Sequence, residues 1–337
     1  MINVHATPPN ETYHHEHLVD RAAMLAMRAM LALQPAADLG TSGRAAFDEL
    51  MAKTPAAENV LYEAAVVGGI PGWWCRPIEA SSEAAILYLH GGAYVVGSAQ
   101  AYRHFAGQIA ARAKLPVFIA DYGLAPERPF PAAVDDAEAA YRGLALAGFS
   151  SIAVAGDSAG GGLALVTAAR MTSAARTDRI PRPFAVCVMS PWIDLALASE
   201  SIETRAARDP LLSRSSLEGA RQRYLGMVNA NDPRASPVYG DLAGLPPVLL
   251  HVGEDEVLLD DARRYSDRLA ESGGKVELHV WEGMVHVFPA NISLLRAAHE
   301  ALDIVGEFLR RERCEHPVTK LEIEEPNDAH PVCRSEA

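Results

Sequence analysis

Strand-like and helix-like segments alternate along most of the chain, from about residue 60 to residue 311. The strand-like segments include short apolar runs such as Phe184–Met189 and Pro247–Val252, which are typical of strands buried on both faces of a parallel sheet. The last helix-like segment, Ser293–Arg311, has apolar residues at three- and four-residue spacing. Strands joined by helices predict an α/β fold, with a mostly parallel central sheet and helices on both of its faces.

Two regions do not follow this alternation. Leu18–Leu33 and Arg44–Met51 are amphipathic helical stretches ahead of the first strand, and Ile193–Tyr224 is inserted between two strands. In the insertion, Ser215 and Glu218 predict a capping box that opens a helix. An insertion after a strand's carboxyl end lies where open α/β sheets bind ligands, so both regions are predicted to form a lid, with ordinary surface helices as the alternative. The predicted organisation is an N-terminal helical cap segment (1–55), a catalytic α/β domain (56–192 and 226–312), a cap insertion (193–225) and a disordered tail (313–337).

The charge of the chain restricts its partners. The 337 residues include 30 Lys and Arg against 43 Asp and Glu, which gives a net charge of −13. Binding to nucleic acid or to anionic membranes is therefore not expected. The apolar stretch Arg21–Leu33 is too short to span a bilayer, and Met1–Thr12 lacks the pattern of a signal peptide. The four cysteines show no zinc-binding spacing, so we expect a cytoplasmic protein that needs neither a metal nor a cofactor.

The most specific motif is Gly156–Gly160, with the sequence Gly-Asp-Ser-Ala-Gly. It lies between the predicted strand Ile152–Gly156 and the predicted helix Ala159–Met171. A G-x-S-x-G motif at a strand-to-helix turn is a nucleophile elbow, where the serine has a strained backbone and glycines allow close approach. The motif predicts Ser158 as a nucleophile; the alternative is a plain glycine-rich turn at a helix start.

A second motif, His90–Ala93, stands at the end of the predicted strand Ala84–His90. Acyl transfer builds negative charge on a carbonyl oxygen, and backbone N–H groups without obstructing side chains stabilise that charge well. Gly91 and Gly92 are therefore predicted to form an oxyanion hole with the amide of Ala159, the residue after the nucleophile. His90 is expected to brace this loop by hydrogen bonds rather than to act as a base.

A serine nucleophile also needs a base that is oriented by a carboxylate. In this architecture the chain order is serine, acid, histidine. The buried strand Pro247–Val252 is followed by three carboxylates in a row, of which Asp255 is the predicted acid, with Glu254 and Glu256 as local competitors. Asp260–Asp261 are interpreted as the solvated first turn of the next helix.

The predicted base is His286, in the loop Gly283–Phe288 that follows the last predicted strand. The other histidines after Asp255 lie in a strand, in a helix or in the tail. The sequence thus predicts a triad of Ser158, Asp255 and His286, which acts without a metal.

Five segments in the same order resemble the bacterial hormone-sensitive-lipase-like esterases (family IV), in the branch with Asp before the nucleophile. They are His90–Ala93, Asp121–Glu127, Gly156–Gly161, Asp255 and Gly283–Phe288. The resemblance covers about residues 20–310. It implies an α/β-hydrolase fold with a helical cap, and carboxylic ester hydrolysis through an acyl-enzyme with the triad named above. Gly123 stands where the family has Arg, and this loss removes charged contacts near the loop.

The substrate pocket is expected to be largely apolar, with the cap enclosing it. Its candidate lining residues are Tyr94, Asp157, Trp192, Leu211, Leu212, Met284 and Val285. An enclosed pocket predicts small-molecule esters with short- to medium-chain acyl groups. The alternatives are a lactone hydrolase of the ε-lactone type, an arylformamidase or amidase on the same triad, and a non-enzymatic small-molecule receptor. The strand Val276–Trp281 is predicted at the sheet edge, where the resemblance implies a possible homodimer.

Overall fold

The computed structural model describes residues 10–33, 38–80 and 83–315. Within these ranges nine strands form one sheet in the order β1-β9-β8-β7-β6-β4-β5-β3-β2. The strands are β1 (Glu11–His14), β2 (Val60–Val67), β3 (Ile70–Pro77), β4 (Ala84–Leu89), β5 (Val117–Ala120), β6 (Ser151–Asp157), β7 (Val186–Met189), β8 (Val248–Gly253) and β9 (Val276–Trp281). Only the pairs β2–β3 and β3–β5 are antiparallel, so the predicted mostly parallel sheet is confirmed.

Helices cover both faces of this sheet. They are α1 (Leu18–Leu31), α2 (Arg44–Met51), α3 (Ala99–Ala113), α4 (Ala132–Leu146), α5 (Ser158–Ala174), α6 (Ser201–Thr204), α7 (Arg214–Leu225), α8 (Leu259–Glu271) and α9 (Arg296–Glu315). One core packs α4, α5 and α8 against the sheet, and the other packs α3 and α9 against the opposite face. No helix in the described residues is both long and apolar enough to cross a membrane.

The central strand β4 shows how the sequence builds both cores. All six of its residues are buried, and successive side chains point to opposite faces of a strand. Leu87 and Leu89 therefore join the core that contains α5, whereas Ile86 and Tyr88 join the core that contains α3. Because both faces are covered, β4 has a continuous apolar sequence rather than an alternating one.

The N-terminal strand β1 was not predicted, and it changes the edge of the sheet. β1 pairs in parallel with β9, and the ring of His14 stacks on Trp281 with 3.8 Å between centroids. His14 Nε2 also lies 2.8 Å from His279 Nδ1. The prediction that Val276–Trp281 forms the sheet edge is therefore wrong, because β1 lies outside it. Four mostly polar residues carry too little periodicity to be identified as a strand.

The predicted limits of two other elements also change. The capping box of α7 is formed by Ser213 and Ser216, not by Ser215 and Glu218. Glu218 instead lies 3.7 Å from Arg214, one helical turn earlier. At the other end of the chain α9 extends to Glu315, so residues 313–315 are helical. The rest of the predicted tail, 316–337, lies outside the described residues.

Candidate active site

Ser158 is the first residue of α5, directly after β6. Its φ of +52° lies in the left-handed region, as the predicted nucleophile elbow requires. The turn packs closely on the end of β4. A Cβ atom on Gly156 would lie 2.6 Å from the carbonyl oxygen of Leu89, and one on Gly160 would overlap the same oxygen. Both positions of the motif therefore require glycine.

The loop after β9, here called the histidine loop (Gly283–Phe288), brings His286 to the serine. His286 Nε2 lies 2.8 Å from Ser158 Oγ, and the His286 side chain is only 10% exposed. Val287, the next residue, has a φ of +51°, so the backbone turns sharply there. The structure thus brings the predicted nucleophile and the predicted base into hydrogen-bond contact.

The carboxylate that contacts His286 belongs to Glu256. Glu256 Oε2 lies 3.0 Å from His286 Nδ1, and the Glu256 side chain is fully buried. The other oxygen, Oε1, accepts hydrogen bonds from Ser190 Oγ and from the Gly253 amide, both at 2.6 Å. Ser190 Oγ in turn accepts the N–H of Val287 at 2.9 Å. Ser190, which the sequence did not single out, therefore fixes Glu256 and the histidine loop together.

Asp255, the predicted acid, does not contact His286, so the structure contradicts its predicted position beside the base. Asp255 Oδ2 accepts a hydrogen bond from Arg28 at 2.6 Å, and Oδ1 accepts one from Arg208 at 3.2 Å. The reason is a tight turn after β8, in which the Glu256 amide donates to the Gly253 carbonyl. This turn directs residue 256 toward the histidine and residue 255 toward the cap helices. We call Gly253–Glu256 the acid loop.

Two opposing effects set the pKa of His286. Burial lowers it, but the hydrogen bond and the negative charge of Glu256 raise it more, so the pKa lies above its ordinary value. Because a carboxylate accepts only, Glu256 holds the proton of a neutral imidazole on Nδ1. Nε2 is then left with a lone pair that can accept the Ser158 proton.

The loop after β4 presents free amides beside the serine, but they differ from the predicted pair. The Gly91 N–H donates to Asp157 Oδ1 at 2.9 Å, so Gly91 is wrong as an oxyanion-hole donor. Among the described residues, the amides of Gly92, Ala93 and Ala159 have no hydrogen-bond partner. Ala93 has a φ of +55°, and Ala159 lies in the first turn of α5, where backbone N–H groups lack helical partners.

Asp157 is buried and braces that loop through its hydrogen bonds, so the structure contradicts its prediction as a substrate-binding residue. It is almost fully buried and accepts hydrogen bonds from Tyr88 Oη at 2.7 Å and Tyr102 Oη at 3.1 Å, besides the Gly91 amide. Burial raises its pKa, although these donors oppose that effect. As predicted, His90 is held within the loop, since its Nδ1 donates to the Gly91 carbonyl at 2.7 Å.

Cap helices dock directly on these loops. Tyr94 stacks on Tyr224 of α7, with 3.8 Å between ring centroids and an interplanar angle of 2°. Arg44 of α2 donates to the carbonyls of Val95 at 2.8 Å and Ala125 at 3.0 Å. Both cap segments therefore contact the loop after β4.

Gly123 is compatible with this docking despite the missing family arginine. Arg128 fills the space beside it, since a Cβ atom on Gly123 would lie 2.8 Å from Arg128 Nη1. Arg128 is paired with Asp136, whose Oδ2 also accepts the Gly123 amide at 2.8 Å. A guanidinium from further along the chain thus supplies charge at this loop.

Asp261 is another correction, because it is buried and not solvated. It accepts the amides of Ile193 at 2.9 Å and Asp194 at 2.8 Å. Burial raises its pKa to about 7. Asp261 thereby fastens the start of the cap insertion to the first turn of α8.

The apolar residues predicted to line the pocket are mostly buried. Trp192, Met284 and Val285 belong to the two cores, with at most 1% exposure. Leu212 is also buried and Leu211 is half-buried. Their contact with a substrate stays a prediction.

A serine at a strained strand-to-helix turn, with a histidine and a buried carboxylate at the ends of neighbouring parallel strands, defines an α/β hydrolase. The profile of a family described as alpha/beta hydrolase fold matches residues 86–290, and the chain belongs to this family. It is 41% identical to an acetyl-hydrolase of Streptomyces hygroscopicus, over 72% of this chain and 81% of that one. It is 36% identical to the putative acetyl-hydrolase LipR of Mycobacterium tuberculosis, over 81% of this chain and 88% of that one.

Solved structures agree with this assignment. An esterase from the bacterial hormone-sensitive lipase family superimposes with a TM-score of 0.80 at 36% identity, over 88% of this chain and 99% of that one. The structure of EstE5 soaked with p-nitrophenyl butyrate gives a TM-score of 0.78 at 37% identity, over 87% and 99% of the two chains. The predictions of the family, the fold and carboxylic ester hydrolysis are confirmed.

Proposed function

We propose that Ser158, His286 and Glu256 form the catalytic triad of this ester hydrolase. The observation that carries the proposal is the unbroken chain of contacts from Ser158 Oγ through both imidazole nitrogens to a buried carboxylate. His286 Nε2 takes the proton as Ser158 Oγ attacks the ester carbonyl carbon, and Glu256 stabilises the imidazolium. His286 then returns the proton to the departing alcohol, which leaves an acyl-enzyme. Water repeats the sequence with His286 as base and releases the carboxylic acid.

The oxyanion hole in this proposal consists of the amides of Gly92, Ala93 and Ala159. The support is that all three lie beside Ser158 in the chain or at the end of the neighbouring strand β4, and have no other partner among the described residues. Each such donor contributes about 100- to 1,000-fold in rate. Asp157 keeps the loop in place through the Gly91 amide.

We also propose that α1 and α2, together with residues 193–225, act as a cap that limits the size of the acyl group; β1, which precedes α1, belongs to the sheet. The support is the docking of α2 and α7 on the loop after β4, together with the small exposed fraction of Ser158, which is 9%. The names of the two relatives, an acetyl-hydrolase and a putative acetyl-hydrolase, agree with a small acyl group. Short- to medium-chain carboxylic esters are therefore the proposed substrates.

The chain-length preference can be measured with p-nitrophenyl esters from acetate to palmitate. We expect kcat/KM to peak between acetate and octanoate and to fall at least about tenfold for palmitate, because an enclosed pocket excludes the longer chain. A maximum at palmitate would contradict the proposed cap. ε-Caprolactone assayed alongside distinguishes the lactone alternative, which requires a higher kcat/KM for the lactone than for every ester.

The pH dependence follows from the raised pKa of His286. Only the neutral imidazole can accept the serine proton, so kcat/KM should fall as the pH drops through that pKa. Since Glu256 raises the pKa, the midpoint of the acid limb should lie above the ordinary histidine value of 6.5. A pH profile of kcat/KM with p-nitrophenyl acetate measures it, and a midpoint below that value would contradict the proposed Glu256–His286 pair.

Cytoplasmic location and a homodimer remain proposals. The buried free thiols of Cys75 and Cys187 support a reducing compartment. For a dimer, the outermost strand on the β9 side is β1, so any pairing of sheet edges on that side would use β1.

A further inference from the structure

One side chain of the N-terminal cap contacts both loops of the proposed triad. Arg28 of α1 donates from Nη2 to Asp255 Oδ2 in the acid loop at 2.6 Å. The same nitrogen lies 3.4 Å from the Gly283 carbonyl, at the start of the histidine loop. Its Nη1 donates to the carbonyl of Arg208 in the cap insertion. One guanidinium therefore joins the acid loop, the histidine loop and both cap segments.

We propose that Arg28 is a positioning residue for ester hydrolysis, which fixes the spacing of the acid and histidine loops and so holds Glu256 against His286. The inference rests on the proposed triad. It assigns a role in turnover to a residue of α1 that touches neither the serine nor the histidine.

The position of Asp255 makes this action direct. Asp255 and Glu256 are consecutive residues of the acid loop. A contact that holds the Asp255 carboxylate in place therefore also holds the turn that places Glu256 beside His286. On the inner side, Ser190 joins Glu256 to the histidine loop. On the outer side, the Asp255 amide donates to the Met284 carbonyl at 3.3 Å, and the Glu254 amide donates to the Trp281 carbonyl at the end of β9 at 2.8 Å. Arg28 adds a charge-assisted side-chain contact to these backbone bonds, because it joins the Asp255 carboxylate to the Gly283 carbonyl.

Burial makes the Arg28–Asp255 pair stronger than a surface ion pair. The side chains are 26% and 14% exposed, respectively, and a partly desolvated, charge-assisted hydrogen bond is less screened than a solvated one. Arg208 also contacts Asp255, but its side chain is 54% exposed. The Arg208–Asp255 pair is therefore more screened by solvent than the Arg28–Asp255 pair and should contribute less to holding the acid loop.

The test compares Arg28→Met, Arg28→Lys and the control Arg21→Met in the full chain. Arg21 lies on the same helix, is 67% exposed and is 3.7 Å from Glu16. For Arg28→Met we expect kcat for p-nitrophenyl acetate to fall about 10- to 100-fold, because small misplacements of catalytic groups are costly. KM should change less than about threefold, since substrate contacts remain. Arg21→Met should match the unmodified protein.

The pH profile distinguishes a positioning role from a purely structural one, because a purely structural role of Arg28 would leave the midpoint of the acid limb unchanged. A looser Glu256–His286 contact raises the histidine pKa less, so the acid limb of Arg28→Met should shift to lower pH. Lysine keeps the positive charge, but it lacks the planar guanidinium group that can contact several acceptors at once. Arg28→Lys should therefore restore part of kcat and part of the shift. If KM rises while kcat and the acid limb stay unchanged, Arg28 only closes the cap and the proposal is overturned.

A double-mutant cycle and one spectroscopic measurement complete the test. Asp255→Asn should lower kcat by about threefold to tenfold, and its combination with Arg28→Met should be less than additive, because both act through one contact; full additivity would overturn the proposal. If Arg28→Met does not fold, Arg28→Lys and Asp255→Asn decide by the same criteria.

The pKa of His286 can also be measured directly by NMR titration of its imidazole, which needs no turnover. This measurement tests the role of Arg28 separately from the proposed function. If hydrolysis proved independent of Ser158, the proposed function would be refuted, but the NMR result would still decide on Arg28. A lower His286 pKa in Arg28→Met supports the inference, and an unchanged pKa refutes it.

Discussion

Replacing Ser158 with alanine should lower kcat for p-nitrophenyl acetate by a factor on the order of 10⁶, the loss found when a triad nucleophile is removed. The substitution deletes only Oγ, the atom that lies 2.8 Å from His286 Nε2. The left-handed backbone at this position is retained with a side chain that is no larger, so the fold should persist. Steady-state kinetics and thermal unfolding of the same preparation measure both effects.

A matched control is available on the same helix. Ser173 lies near the end of α5 and is exposed, so Ser173→Ala should leave kcat within about twofold, as surface substitutions usually do. Esterase activity that survived in Ser158→Ala at a rate comparable to the control would show that another residue attacks the ester. A large fall in melting temperature would instead assign the loss to unfolding.

Replacing Glu256 with glutamine should lower kcat about 10⁴-fold, as expected when the acid of a serine triad becomes an amide. A glutamine amide can donate to Nδ1, which places the imidazole proton on Nε2, where it can no longer accept from Ser158. Because Ser190 Oγ and the Gly253 amide both donate to Oε1, the glutamine carbonyl oxygen should keep that position and its NH2 group should face His286. The remaining activity should show an acid limb at lower pH, because the negative charge that raises the histidine pKa is gone.

Comparing Asp255→Asn with Glu256→Gln shows which of the two neighbouring carboxylates is the acid of the triad. Its expected loss is at most about tenfold, because Asp255 acts through the position of the acid loop and does not contact His286. The opposite ranking, with a larger loss for Asp255→Asn than for Glu256→Gln, would restore the sequence-based assignment of the acid. Circular dichroism of both variants controls for misfolding.

Much of the scaffold could be predicted because it depends on periodicity. The limits of α2 and β9 agree with those expected from the sequence. Ser158 and His286 were also predictable, since the elbow motif has a specific context and the chain order leaves one loop histidine. These signals are local, or they depend only on the order of elements.

The errors have a different physical origin. Choosing Glu256 over Asp255 requires knowing which way a four-residue turn directs each side chain, and the turn is set by tertiary contacts with Ser190 and Arg28. The sequence predicts Gly91 as an oxyanion-hole donor, but its amide donates to Asp157, which is 66 residues away in the chain. Residues joined across long separations leave no periodic pattern from which to infer them.

The pairing of β1 with β9 has a practical consequence for handling the protein. β1 is followed within four residues by α1, which carries Arg28, and β9 leads directly into the histidine loop. A truncation that removes β1 would therefore expose the edge of the strand that leads into the histidine loop. Shortened versions of the chain should therefore keep Glu11–His14, so that turnover is compared between molecules with the same sheet edge.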